Sequence, residues 1–415
     1  MSPLLIVAAL AAQVGAPGGD KASADKSDPN ISAGQTTYLD IEAGAGFSSN
    51  PNLAIINDQG AAFGRISLHA VHSRVSARSS TLISAFAEND SYTNGQHSQQ
   101  SASLDIHHNA AVSQHVRIFG DLRGSYQEGG LLDTRVLSVP LTPPFIPGGE
   151  VTPPILVPGT ADFLSVTGRS YTISGHGGAT FSLSQHDSMS ISSGADHVLF
   201  RNGAVRTAYT TIPVSLSYDR QLSERTTVGA RIVAQDTEYD GPESTRVFTP
   251  QLTGRLELSP RVTLDGAIGV SFARVDNGLF VTHSTGLSVG ANLCGQGQTS
   301  YFCGHFAVDE QAATTAGPSR SVGGGIDYTK RLDANQSISL SAGVNHYSTP
   351  LSIISSQTFS ASTYYHVAAS YSRRLGSRLF GGVNLAARNV TQNGPDPKAD
   401  LSASLFIRYR LGSVQ

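Results

Sequence analysis

The chain has 415 residues, of which 39% are hydrophobic, and its formal net charge is -3 from 28 basic and 31 acidic side chains. This balance gives no electrostatic reason to expect a nucleic acid as partner. Charged residues make up only 14% of the chain, which is low for a soluble protein. The 43 glycines, the 2 methionines and the many Ser, Thr and β-branched residues favour pleated strands over helices.

The N-terminal residues predict export. Residues 1–16, MSPLLIVAALAAQVGA, form an apolar run of about signal-peptide length, followed by small residues and too short to span a membrane as a helix. We therefore expect a cleaved signal peptide over residues 1–16, with Ala11 and Ala12 as alternative cleavage points. A flexible polar periplasmic leader is expected over residues 17–36, and one β-barrel domain over residues 37–411.

From residue 37 onward, apolar and polar residues alternate. At the C-terminal end, the odd positions from Leu401 to Leu411 are apolar, whereas the even positions from Ser402 to Arg410 are mostly polar. No segment has 18 consecutive apolar residues, which excludes a helical membrane protein. The pattern predicts sixteen strands over residues 37–48, 62–75, 79–90, 98–112, 115–127, 166–184, 187–200, 205–219, 225–239, 246–258, 261–275, 319–330, 336–348, 358–373, 377–391 and 399–411.

The polar face of these strands separates a membrane barrel from a soluble β-sandwich, which would also alternate. It carries mostly Ser, Thr, Asn and Gly rather than the Lys and Glu of a surface in bulk water. The strands are also longer than those of a usual sandwich. Because every backbone polar group in lipid must be paired, strands cross a bilayer only as a closed barrel. The sequence therefore predicts an all-β, transmembrane, antiparallel up-and-down barrel of about sixteen strands.

A repeated Tyr-x-Lys/Arg-x-Leu pattern begins at Tyr218, Tyr328 and Tyr371. We interpret it as a short periplasmic turn, with each tyrosine in an interfacial aromatic girdle. Short turns are predicted near residues 76, 113, 185, 222, 260, 333 and 375. Ordinary hairpin connections of any antiparallel protein are the alternative interpretation.

Two long outer loops are predicted. Residues 128–165 are rich in proline, which cannot join a sheet, and also carry large apolar side chains. We expect this loop to narrow the lumen, with an irregular surface loop as the alternative. Residues 276–318 contain Cys294 and Cys303, which we expect to form a structural disulfide in an exported chain. A metal site would need more ligands than these cysteines and His305 supply.

The alternation of the two faces along each strand also predicts which charged residues line the pore. Eight basic and eight acidic residues are predicted to point into the pore, and this equality suggests weak ion selectivity. The basic candidates are Arg65, Arg117, Arg123, Arg231, Arg255, Arg388, Arg408 and Arg410. The acidic candidates are Asp40, Glu42, Asp105, Asp121, Asp196, Glu257, Asp265 and Asp327.

Catalytic motifs are missing from the sequence, which has no Gly-x-Ser-x-Gly, no His-Glu-x-x-His and no phosphate loop. Asp196 and His197, near the outer end of their strand, are the best candidates for an acid and base. His107 and His108 are adjacent in a strand, so they point to opposite faces and are unsuited to joint metal ligation. We expect no catalytic residues, no metal and no cofactor.

The first strand carries a family resemblance. Gly44, Gly46, Phe47, Ser49 and Asn50 form a Gly-x-Gly-aromatic stretch that runs into a first loop. This stretch resembles the opening strand of the beta-barrel porin 2 family of Gram-negative outer-membrane proteins, some of which are linked to surface polysaccharide export. The chain departs from usual outer-membrane barrels at its end, where RLGSVQ follows Tyr409 instead of a terminal aromatic residue.

The resemblance implies a cell outer-membrane location, contact with outer-membrane lipid and lipopolysaccharide, and assembly by the outer-membrane machinery. Periplasmic polysaccharide-export components are further expected partners. The expected function is a pore for a hydrophilic solute or an exported polysaccharide. The alternatives are a structural or assembly-partner barrel with a blocked lumen, and an outer-membrane hydrolase or acyltransferase.

Overall fold

A computed structural model describes residues 34–51, 53, 59–95, 98–128, 169–202, 205–276, 278–279, 281–313, 317–348, 362–392 and 398–413. These residues form eighteen antiparallel strands. The strands are β1 (Gly34–Ser48), β2 (Ala61–Val75), β3 (Ser79–Tyr92), β4 (Gln99–Ala111), β5 (Val116–Glu128), β6 (Arg169–Ser182), β7 (Asp187–Asn202), β8 (Val205–Ser223), β9 (Thr226–Tyr239), β10 (Ser244–Ser259), β11 (Val262–Asp276), β12 (Val281–Gln296), β13 (Ser300–Ala313), β14 (Gly317–Arg331), β15 (Gln336–Ser348), β16 (Ser362–Arg374), β17 (Leu379–Gln392) and β18 (Asp400–Ser413).

The strands close into one barrel. Each strand pairs with the next along the chain, and the last strand, β18, pairs with β1. At this closing seam, Asp40 of β1 lies opposite Arg410 of β18 on one side and His69 of β2 on the other. A closed wall leaves no unpaired strand edge, so the backbone groups of the strands are paired within the wall. The predicted all-β antiparallel barrel is confirmed.

The strand count differs from the predicted sixteen by one hairpin. Residues predicted as a long outer loop, 276–318, instead contain β12 and β13, joined by a short turn at residues 297–299. The alternation was present in the sequence, since Leu287, Val289, Ala291 and Leu293 follow one another at every second position. The many glycines and the two cysteines nearby favoured a loop interpretation, which is wrong.

The two ends of the barrel differ in their connections. Short turns near residues 76, 113, 185, 222, 260, 333 and 375 lie where the sequence predicts them, and the turn at 297–299 lies at the same end. We call this the short-turn end. The opposite end, the loop end, carries the connections 49–60, 93–98, 129–168, 203–204, 240–243, 277–280, 314–316, 349–361 and 393–399.

Several predictions concern residues beyond the described ranges. The signal peptide at 1–16 and most of the leader at 17–36 lie outside them, although residues 34–36 already belong to β1. Nearly all of the proline-rich loop at 128–165 also lies outside them. In the part of the chain that the structure describes, we find no helix with the length and hydropathy needed to cross a bilayer.

Candidate functional site: the barrel lumen

The outward face of the wall is an apolar belt. Leu405 is 65% exposed and Ile407 is 58% exposed, while the intervening Phe406 is buried on the lumen side. Similar exposed Leu, Ile, Val and Phe side chains occur on nearly every strand. A soluble monomer rarely exposes an apolar surface of this extent. Contact with the hydrocarbon region of a bilayer accounts for it, because the outward face of a membrane barrel is apolar.

Polar groups frame this belt at the short-turn end. Tyr218, Tyr328 and Tyr371 lie on the outward face close to the short turns. The hydroxyl of Tyr218 donates a hydrogen bond to Asp187 Oδ1 at 2.6 Å, and Ser184 Oγ donates to Asp187 Oδ2 at 2.7 Å. These bonds lower the pKa of Asp187, which is half-buried and is the first residue of β7, next to the turn. The arrangement is the one expected of an interfacial girdle.

Histidines on the outward face are hydrogen-bonded to threonines on the adjacent strand. The pairs occur near strand ends, two toward the short turns and two toward the loop end. Each pairing places the polar ring of the histidine against a polar neighbour at the edge of the apolar belt. The pairs are His72 with Thr37 (2.8 Å), His108 with Thr81 (2.9 Å), His197 with Thr210 (3.0 Å) and His346 with Thr363 (2.8 Å).

The charged residues predicted to line the pore share the face opposite the apolar belt. Strand register connects them around the wall, as in the row from Asp105 through Arg123 to Ser174. They are Arg65, Arg117, Arg123, Arg231, Arg255, Arg388, Arg408, Arg410, Asp40, Glu42, Asp105, Asp121, Asp196, Glu257, Asp265 and Asp327. Their role in conduction stays a prediction.

Many of these arginines bind carboxylates on the neighbouring strand. Arg255 Nε donates to Asp265 Oδ1 at 2.6 Å, which ties β10 to β11. Such contacts neutralise the guanidinium groups within the wall, which reduces the charge offered to a solute. The other pairs are Arg123 with Asp105 (2.6 Å), Arg408 with Glu42 (2.8 Å), Arg410 with Asp40 (2.6 Å), Arg388 with Asp400 (2.6 Å) and Arg65 with both Asp90 and Glu88.

Arg231 has a different arrangement. Its Nε and Nη2 donate to Gln251 Oε1 at 2.9 and 2.6 Å, and Gln251 Nε2 donates to Ser288 Oγ at 2.7 Å. Ser288 in turn bonds to Asp309. This path crosses β11 above Gly269, where an added Cβ would come within 2.7 Å of Gln251 Cγ. Because Gly269 has no side chain, the network runs along the wall instead of across the lumen.

The lumen face contains more acids than the sequence predicted. Asp309 and Glu310 both contact lumen-side serines, Glu310 through a 3.4 Å bond from Ser284, although they are adjacent in β13. The β12–β13 register ends at Val308, which allows two consecutive side chains on one face. The predicted balance of charges is therefore wrong. The additional lumen acids among the described residues are Glu88, Asp90, Asp219, Asp309, Glu310 and Asp400.

The candidate catalytic pair does not come together. Asp196 faces the lumen and lies 3.1 Å from His176 Nε2, whereas His197 faces outward and bonds to Thr210. His107 and His108 diverge in the same way, since His107 bonds to Asp121 in the lumen. Within the described ranges, no group of three or more His, Cys, Asp or Glu side chains is arranged to hold a metal ion.

The two cysteines form a disulfide, but not in an outer loop. Cys294 of β12 and Cys303 of β13 are directly opposite each other across the hairpin, with Cα atoms 4.0 Å apart. The bond lies close to the turn at 297–299, at the short-turn end. The expected position of the ring, at the loop end, is wrong because β12 and β13 were not predicted. The disulfide is part of the barrel wall.

A closed wall that is apolar outside and polar inside defines a transmembrane antiparallel β-barrel. No protein-family model matches the chain, and no curated protein matches it. The resemblance to the beta-barrel porin 2 family therefore stays an expectation from the first strand.

Solved structures with a similar fold include three receptors or transporters. The siderophore receptor PiuA from Acinetobacter baumannii is 7% identical, with a TM-score of 0.47 over 92% of this chain and 82% of that one. The siderophore receptor PirA from the same organism is 8% identical, with a TM-score of 0.43 over 93% and 81%. The FrpB iron transporter from Neisseria meningitidis is 9% identical, with a TM-score of 0.43 over 85% and 62%. These values assign neither a family nor a ligand to this chain.

Proposed function

We propose that this protein is an outer-membrane β-barrel that forms a pore for hydrophilic solutes. The observation that carries the proposal is the contrast between the two faces of the wall: exposed Leu405 and Ile407 outside, and the ion-paired Arg408 and Arg410 inside. Barrels of sixteen to eighteen strands are wide enough for an aqueous channel unless it is filled.

The lumen chemistry favours neutral or cationic solutes over anionic ones. Its arginines are largely paired with carboxylates, and the acids outnumber the arginines on that face of the described strands. Among the described residues, no arginine or lysine forms an ion pair with Asp309, Glu310 or Asp327. An excess of carboxylates on the lumen face attracts cations and repels anions. The barrel therefore passes small cations and uncharged polar molecules more readily than anions of the same size.

A carbohydrate chain is the finer substrate class that we propose. Half-buried serine and threonine hydroxyls such as those of Thr180 and Ser190, 2.9 Å apart, offer hydrogen bonds along the wall. Near the short-turn end, Tyr38 and Phe380 lie beside Arg410 and provide aromatic surface. In this role, the expected partners are outer-membrane lipid and lipopolysaccharide, the assembly machinery and periplasmic polysaccharide-export components. The barrel acts as a passage and not as an enzyme.

The second candidate is a structural barrel with a blocked lumen. The observation in its favour is the burial of inward side chains at the loop end, including Leu53, Tyr209 and Tyr364. Such side chains would be partly exposed around a wide open mouth. A blocked barrel would serve as a docking or assembly partner in the membrane.

Single-channel recording separates the two candidates. The purified barrel, checked for folding by heat modifiability on gels, is inserted into planar lipid bilayers, and discrete conductance steps are expected. Liposome swelling with neutral sugars of increasing size then gives the solute range. The control is the same preparation from cells that lack the gene. Silent bilayers with a correctly folded barrel would reject the pore and favour the blocked barrel.

A further inference from the structure

The described residues that directly follow β1 at the loop end turn into the barrel. The described residues of the connection 49–60 are 49–51, Leu53, 59 and 60, and we call residues 49–51 together with Leu53 the strap. Ser49 N donates to Leu401 O at 3.0 Å, and Leu401 N donates to Ser49 Oγ at 2.8 Å, so the strap starts from the seam. Asn50 is 2% exposed and Leu53 is 4% exposed, although both lie in a connection at the loop end. Connections usually lie on the surface.

The Pro51 carbonyl links two distant parts of the wall. It accepts a hydrogen bond from Gln99 Nε2 of β4 at 2.8 Å and another from Arg388 Nη2 of β17 at 3.2 Å. Five strand spacings of about 4.8 Å separate β4 from β17 along the closed wall. Two side chains from positions so far apart meet at one oxygen only if that oxygen lies over the lumen. The strap therefore extends over the part of the barrel mouth that lies between β4 and β17.

A buried ion pair holds one side of the strap. Arg388 Nη2 and Nε lie 2.6 and 3.1 Å from Asp400 Oδ2. The other carboxylate oxygen of Asp400 accepts hydrogen bonds from Ser48 Oγ at 2.6 Å and from the backbone N–H of Asn50 at 3.0 Å. The side chains of Arg388 and Asp400 are 5% and 0% exposed. Because both oxygens of the buried Asp400 carboxylate are hydrogen-bonded, the anchor has a defined position.

Apolar packing against β16 and β17, on the same part of the wall as Arg388, also holds the strap. Leu53 contacts Tyr364 of β16 and Val390 of β17 in a buried cluster. Its backbone φ is 45°, in the left-handed region that a branched side chain rarely adopts. Such strain persists only where the surroundings impose it, and it is frequent at functional sites. The packing of Leu53 against these two residues therefore fixes the strap in a strained conformation.

We infer that the strap is the size-limiting element of the pore, anchored by Arg388 and Asp400 on the wall and by Leu53 against Tyr364. This inference rests on the proposed pore function. The sequence analysis placed the constriction in the proline-rich loop at 128–165; the strap supplies a narrowing element built from described contacts. Solutes that enter from the loop end pass between the strap and the opposite wall.

The test compares two strap variants with a matched control. Arg388→Gln with Asp400→Asn removes both charges of the anchor together, so no unpaired charge stays buried. Leu53→Gly removes the apolar contact, and glycine adopts the existing φ without strain. The control, Arg255→Gln with Asp265→Asn, makes the same chemical change at a lumen pair distant from the strap. All variants are checked for heat modifiability and for β-structure by circular dichroism.

Both strap variants are expected to show higher single-channel conductance and to admit larger polyethylene glycols than the native barrel. The control is expected to keep the native exclusion size. If the native barrel conducts and the folded strap variants exclude the same polymers as the control, the inference about the strap is wrong while the pore stands. If native and variant barrels are all silent, the pore proposal itself fails.

Discussion

Arg410 and Asp40 face each other across the seam between the last and first strands, with Arg410 Nε 2.7 Å from Asp40 Oδ1 and Nη2 2.6 Å from Oδ2. One step further from the short-turn end, Arg408 makes the same type of contact with Glu42 at 2.8 Å. Two bidentate or forked contacts in succession fix both the proximity and the register of strands that lie at opposite ends of the chain.

Removal of one partner in the seam should destabilise the barrel. The side chains of Asp40 and Arg410 are 5% and 27% exposed, so Asp40→Ala leaves a largely desolvated guanidinium group without its carboxylate. We expect the free energy of unfolding to fall by about 2–4 kcal/mol, toward the range for buried pairs. Because the chain has no tryptophan, urea unfolding is best followed by circular dichroism and gel mobility.

Two controls accompany the seam variant. Asp40→Leu with Arg410→Met removes both charges and should recover much of the loss. Asp236→Ala breaks an exposed outward pair with Arg246 and should cost at most about 1 kcal/mol. An equal loss from Asp40→Ala and Asp236→Ala would contradict the role of the seam.

The faces of β17 can be tested at adjacent positions. Leu385 lies at the middle of the strand on the outward face and is 51% exposed, whereas Asn384 faces the lumen. Leu385→Arg should cost about 2–4 kcal/mol because it places a charge at the midplane of the bilayer. Asn384→Arg should be tolerated. Similar losses for both variants, measured by unfolding from lipid vesicles, would contradict the assigned faces.

Loss of the disulfide should weaken the barrel without preventing its assembly. The backbone ladder already pairs β12 with β13 around Cys294 and Cys303. From the ring of about ten residues, we expect Cys294→Ser with Cys303→Ser to lower the free energy of unfolding by about 2–3 kcal/mol. The native barrel treated with a reductant is the control. Failure of the variant to insert would show that the bond is required for folding of the hairpin.

The acidic lumen face should set ion preference. Asp309→Asn with Glu310→Gln removes two lumen charges and is expected to lower the permeability ratio of cations to anions. Reversal potentials in a potassium chloride gradient give this ratio. The matched control is Asp236→Asn with Glu238→Gln, which removes two charges from the outward face. Equal ratios in the native barrel and in the lumen variant would contradict the proposed preference.

The sequence by itself determined the two faces of the wall and the position of most short turns. Alternation places Leu401 and Leu405 on one face and Ser404 and Arg408 on the other, whatever the neighbouring strands are. Side-chain direction in a strand has a period of two residues, so it depends only on local sequence. For the same reason, the charged residues predicted for the lumen could be assigned before the strand order was known.

Tertiary structure decided the remaining features, because they depend on residues far apart in the chain. Ser48 and Asp400, which share a hydrogen bond, are 352 positions apart, and the Pro51 carbonyl joins Gln99 to Arg388. Such contacts follow from the closure and register of the whole barrel, which no single strand encodes. The surplus of lumen acids and the strap could be identified only once every strand was paired.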